Sequence, residues 1–265
     1  MSSSPARGRP PWTVRRAAGP LVATAIHGGH DLRPRVAGLI GLAEPQRLLE
    51  EDPYTGDWAA VGDSSIVVHR SRFEVDLNRS RRDAVYLEPG DAWGLEVWKK
   101  RPPQPVIEES RRIHDRFYDT LYGILARAER AWGAFAVLDL HSYNHRRDGP
   151  GAPPADPAVN PDVNLGTASV DRRRWGRLID RLARDLRSHE IGGVPLDVRE
   201  NMRFEGAHLV RWVNATFPAT GCAIAVEVKK IYMDEHTGEV DVAAHKEIQR
   251  ALEAGAAGVR QELRR

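Results

Sequence analysis

The sequence predicts an α/β fold, a three-layer sandwich in which a mixed central sheet carries helices on both faces. Two observations point to it. Residues 134–140 and 222–228 are nearly continuous apolar runs of strand length, the pattern of strands buried on both faces. Around them lie segments whose apolar residues recur at helical spacing. Strands and helices in alternation give a sheet covered by helices, and sites in such sheets form where loops leave the strand ends.

The elements follow in order. Residues 1–18 are polar and Pro-rich and read as a flexible N-terminal segment, with a single domain over 19–265. A first strand spans 21–26. A short helix fits 46–50, and Asp52-Pro53-Tyr54-Thr55-Gly56-Asp57 is turn chemistry. Residues 65–69 read as a strand, and the alternating residues 73–77 as another. The charged stretch 79–105, with Trp93 and Trp98, reads as an elaborated loop over a site. Val106, Ile113, Phe117, Leu121, Ile124, Leu125, Ala128 and Trp132 share one face of a long helix. Residues 144–167 hold many Pro, Gly and Asn and form a long loop, a class that is functional or disordered. Trp175, Leu178, Ile179, Leu182 and Leu186 mark the next helix. Residues 194–198 read as an edge strand and 207–215 as a helix. Val242, Ile248, Leu252, Val259 and Leu263 place the last helix.

Composition excludes several function classes. The 265 residues, 41% hydrophobic, supply one large core. A net charge of +2 gives no field that would attract nucleic acid. Cys222 is the only cysteine, so no internal disulfide forms. The first 20 residues lack the apolar core of a signal peptide, and no apolar run reaches the roughly 18 residues of a membrane span. The expectation is a soluble cytoplasmic protein with neither a nucleic-acid nor a membrane partner. The sequence sets no oligomeric state.

Four strand ends carry chemistry. The first strand runs into His27-Gly28-Gly29-His30, with two imidazoles around a glycine turn. The alternating stretch leads into Asp76-Leu77-Asn78-Arg79. The central run ends Asp139-Leu140-His141-Ser142, and the last apolar run contains Glu227. Each has an ordinary structural reading: a core histidine, a turn cap, a surface ion pair. Glu227 is the hardest to dismiss, because a buried Glu is rare unless paired. Four independent coincidences are needed for the ordinary readings, whereas one metal hydrolase site explains them together. The other histidines singled out, His69, His114, His189 and His245, read as structural or surface.

At these residues the chain resembles the zinc carboxypeptidase and aspartoacylase superfamily, and within it the N-formylglutamate amidohydrolase family. Asp-Leu-Asn-Arg and Asp-Leu-His-Ser in this order are the specific part, and the resemblance covers roughly residues 20 to 235. It implies a zinc-carboxypeptidase-like sandwich and one zinc ion held by His27, His30 and His141. Asp76 would orient a ligand histidine, Asn78 and Arg79 would hold a substrate carboxylate, and Glu227 would be the general base. Arg72 is the candidate cation for the oxyanion. The superfamily usually has Glu as second ligand where this chain has His30. Three neutral imidazoles leave the zinc its full double charge, so His30 could instead touch substrate, with Asp31 nearby.

The implied function is zinc-dependent hydrolysis of an amide C–N bond in an N-acyl, N-formyl-like amino acid with a free carboxylate. The runner-up enzyme is a carboxypeptidase or other amidase on a peptide-like substrate. A non-catalytic binding protein that kept the fold is the alternative of another class, and such a protein has no use for the base Glu227.

Overall fold

The computed structural model describes residues 9–265, so the first eight residues of the expected N-terminal segment lie outside the described residues. Seven strands form the central sheet: β1 (Trp12–Arg15), β2 (Leu21–Ala25), β3 (Ser64–Val68), β4 (Phe135–Tyr143), β5 (Val163–Gly166), β8 (Val198–Glu200) and β9 (Gly221–Lys229). Between them, β6 (Glu190–Ile191) and β7 (Val194–Pro195) make a separate hairpin. The sheet order is β1-β3-β2-β4-β9-β5-β8. β1 runs antiparallel to β3 and β5 antiparallel to β9, while the remaining neighbours are parallel. The helices are α1 (Pro34–Ala37), α2 (Glu44–Glu50), α3 (Thr55–Trp58), α4 (Gln104–Trp132), α5 (Arg172–Arg187), α6 (His208–Thr216) and α7 (Val242–Leu263).

The expected three layers are present. On one face α5 and α7 bring Leu178, Leu182, Ile248 and Leu252 against Leu138, Leu140, Ile224 and Val226. On the other, α4 and α6 bring Phe117, Leu121, Leu209 and Val213 against Val22, Val137, Ala223 and Ala225. Alternation along a strand sends successive side chains to opposite faces. Phe135 and Val137 therefore start a series that Asp139 and His141 continue on the α4/α6 side. Ala223 and Ala225 start the series that Glu227 continues there. The parallel register sets His141 beside Glu227, and Thr24 of β2 beside Asp139. Polar residues thus gather at the C-terminal ends of three adjacent central strands, where the apolar series stops.

Four sequence expectations change. Residues 73–77 form no strand: Glu74 and Val75 donate back to the Ser71 carbonyl in a turn, and Asp76 donates to Ala84. Their alternation misleads because both sides are buried, with the acids Glu74 and Asp76 as enclosed as Phe73 and Leu77. Glu74 is enclosed by pairing with Arg33. Within the expected flexible segment, Trp12–Arg15 is instead an edge strand whose Trp12 meets Phe117 edge to face. The long loop 144–167 contains β5 at its end. Residues 194–198 divide between the small hairpin and the sheet edge. Among the described residues no helix is long and apolar enough to cross a membrane.

Candidate active site

His27 leaves β2 into a loop that approaches two other segments very closely. A Cβ on Gly29 would lie 2.3 Å from the carbonyl carbon of His69, and one on Gly28 would lie 2.9 Å from Thr55 Oγ1. Only glycine lets the backbone pass there. The close pass brings the turn after α2 against β2, and the Asp52 amide donates to the His27 carbonyl at 3.0 Å. Asp52 is thereby placed beside two imidazoles. Its Oδ2 lies 2.9 Å from His141 Nδ1 and 3.6 Å from His27 Nδ1.

Each imidazole has a second carboxylate behind it. His27 Nε2 meets Asp76 Oδ1 at 2.7 Å, and His141 Nε2 meets Asp139 Oδ2 at 2.9 Å. Thr24 steadies Asp139 by donating to its other oxygen at 2.6 Å. A carboxylate on Nε2 fixes the tautomer that keeps a proton there and frees Nδ1 as a donor to metal. Among the described residues, His27, Asp52 and His141 form the one group whose ligand atoms, all within 4.8 Å of one another, suit a metal ion. Two imidazole nitrogens and a carboxylate oxygen are a donor set that zinc accepts, with a fourth position left for chemistry.

The electrostatics match a cation site. Burial raises the Asp52 carboxyl, but bonds and charge from His141 and His27 outweigh it and hold it well below the ordinary range. Asp76 goes the same way: burial opposes its charge, and His27 and Arg72 overcome it. Burial lowers His141, yet Asp139 and Glu227 push it well above its ordinary value. The three acids around the imidazole pair thus make this a point that favours positive charge.

A cleft of about 600 Å³ opens onto the cluster, and Arg72, Asn78, Arg79, Tyr143, Glu227 and Lys230 share its wall. Burial raises Glu227 to about 7, with His141 pulling partly back. Arg72 donates to Asp76 Oδ2 at 3.1 Å, to Tyr86 at 3.2 Å and to the Glu50 carbonyl at 3.2 Å, beneath the Trp93 ring. Burial works against its charge, but Tyr86 and Asp76 keep it protonated. Asn78 accepts from the Leu209 amide at Oδ1, which turns Nδ2 toward His141 Nε2 at 3.5 Å. Arg79 is 44% exposed and reaches the Asp91 carbonyl at 3.3 Å.

A sequence model of the N-formylglutamate amidohydrolase family matches residues 19–233. The chain belongs to this family. It is 29% identical over 219 residues to an N-formylglutamate deformylase of Pseudomonas aeruginosa, covering 75% of this chain and 76% of that one. The crystal structure of an N-formylglutamate amidohydrolase from Ralstonia eutropha superposes with a TM-score of 0.74 at 18% identity, covering 96% of this chain and 98% of the other. A gene product of Agrobacterium tumefaciens follows at 0.59 and 15%, with coverage of 91% and 94%. These two likenesses show the fold. The chain is accordingly a hydrolytic enzyme, an amidohydrolase of the N-formylglutamate type.

Against the family expectation, one residue moves out of the site and three come in. His30 does not join the cluster. Its Nδ1 bonds Glu51 Oε2 at 2.5 Å and its Nε2 accepts from Arg47 at 2.8 Å, so both nitrogens are spent. Asp52 stands where His30 was expected. The acidic member of the cluster therefore comes from the next segment rather than from within the His-x-x-His loop. Asp139 backs His141 as Asp76 backs His27. Lys230, buried and lowered by burial to about 8, ties β9 to the end of α2 through the Leu49 and Glu51 carbonyls at 2.7 and 2.8 Å. It thus holds the turn that carries Asp52. A signal for that turn exists in the sequence: Glu50-Glu51-Asp52 crowds acids at a helix C-terminus, where the dipole disfavours them.

Proposed function

We propose that the chain hydrolyses the amide C–N bond of an N-acyl amino acid with a free carboxylate, N-formylglutamate foremost, using one zinc ion held by His27, Asp52 and His141. The observation that supports this most is one cleft wall on which Glu227 sits a strand away from the carboxylate-backed histidine pair. When bound, zinc would supply a Lewis acid that polarises the scissile carbonyl and acidifies a water. Glu227 takes the proton of the attacking water and returns it to the leaving nitrogen, a task suited to a carboxyl whose pKa lies near neutrality. Arg72, a fixed buried cation on the cleft wall, faces the developing oxyanion. Asn78 offers its Nδ2 hydrogens, and Arg79 receives the substrate carboxylate through two parallel bonds that Lys cannot copy.

The test pairs acid and carboxamide forms of N-acyl amino acids on zinc-loaded protein. The native enzyme should prefer the acid. Arg79→Lys should cost about 2–3 kcal/mol in transition-state stabilisation on the acid, as lost charge-assisted bonds do, and little on the carboxamide. Equal hydrolysis of both by the native enzyme would remove Arg79 as the reader of a carboxylate.

A further inference from the structure

We infer that His114 and Tyr118 of α4 are positioning residues for substrate recognition, acting through the backbone of Leu77-Asn78-Arg79. The inference rests on the proposal that Arg79 reads the substrate carboxylate. These three residues sit in a turn outside the sheet, so no strand ladder satisfies their carbonyls. Each carbonyl is nevertheless bonded in sequence. Tyr118 donates its hydroxyl to the Leu77 carbonyl at 2.7 Å. The His208 amide, at the start of α6, donates to the Asn78 carbonyl at 3.4 Å. His114 donates from Nε2 to the Arg79 carbonyl at 3.0 Å.

Two features separate this from ordinary packing. His114 and Tyr118 lie one helical turn apart on a face that otherwise presents Phe117, Leu121 and Leu125 to the core. Both are buried, their rings are 4.6 Å apart, and His114 Nε2 and the Tyr118 hydroxyl bond the turn rather than each other. The Arg79 side chain, in contrast, is loosely held, with a 3.3 Å bond to Asp91 and a 3.9 Å approach to Asp76. Its aim into the cleft is therefore set by where its backbone is pinned. Tyr118 also packs edge to face on Trp212 at 4.9 Å, which ties α6 to the same clamp.

The experiment measures KM and kcat of zinc-loaded Tyr118→Phe, His114→Leu and His114→Gln on matched acid and carboxamide substrates. The Phe and Leu variants should each raise KM for the acid several-fold, and together about tenfold, with kcat within a factor of about two and zinc content unchanged. The carboxamide should be unaffected. His114→Gln, whose side-chain amide can donate in place of Nε2, should recover most of the loss. Tyr118→Phe removes one oxygen atom and keeps the test open should His114→Leu not fold. A native preference for the acid that survives intact in these variants overturns the inference alone, as does an equal loss on both substrates. A native enzyme without that preference overturns the carboxylate reading and the inference with it.

Discussion

Glu227→Gln should lower kcat by two or more orders of magnitude while leaving metal content and KM close to native. The substitution keeps size and one acceptor oxygen but cannot take a proton, so on the proposed mechanism it removes only the general base, a contribution of about 10² to 10⁴ in rate. The position supports the separation. Glu227 is not one of the three residues that cluster as candidate ligands, and its register neighbour His141 is. Burial raises its carboxyl to about 7, so the reactive carboxylate is lost as pH falls. Turnover should therefore rise with pH along an acid limb. A bound dication, which favours the carboxylate, moves that limb below 7. The Gln variant should show no such limb. Near-native turnover in the variant, or an unchanged limb, would take Glu227 out of the reaction.

Removing any of His27, Asp52 or His141 should abolish stoichiometric zinc and reduce hydrolysis to background, whereas His30→Ala should keep its zinc. The contrast follows from geometry, since the first three converge and His30 is committed to Glu51 and Arg47. Asp76→Asn and Asp139→Asn should give intermediate losses of about 10- to 100-fold in zinc affinity or activity, the usual effect of groups that orient a ligand imidazole. His141→Ala also strands Asp52 and Asp139, both buried, without their shared partner. That variant should lose stability as well, because each buried carboxylate loses a bonding partner. Metal analysis alongside thermal unfolding separates the two effects. Full zinc in Asp52→Ala, or its loss in His30→Ala, would reverse the ligand assignment.

The sequence made the sheet centre legible because β4 and β9 are apolar on both faces, which no exposed element is. It made His27, His141 and Glu227 legible for the same reason: each is a polar residue at the point where an apolar series ends. The candidate ligand Asp52 was hidden because its placement is a contact between distant segments. It depends on two glycines that admit a close backbone pass and on a lysine from the far end of the chain. The acid-rich turn is visible along the chain but its contact with β2 is not, and His30, nearer in sequence, took its place. Residues 73–77 misled in the opposite way. Their period of two is real, but paired buried acids occupy the side that alternation assigns to water. β1 and β5, four residues each, are too short for a pattern, and the strands beside them decide their state.

The central claim is that this cleft hydrolyses an N-acyl amino acid through a metal held by His27, Asp52 and His141. It is tested most directly by stripping the protein with a chelator and titrating zinc back while following formate release from N-formylglutamate. The account predicts no turnover in the stripped protein and full recovery at one equivalent of zinc per chain. Undiminished turnover by protein shown to be metal-free would contradict it.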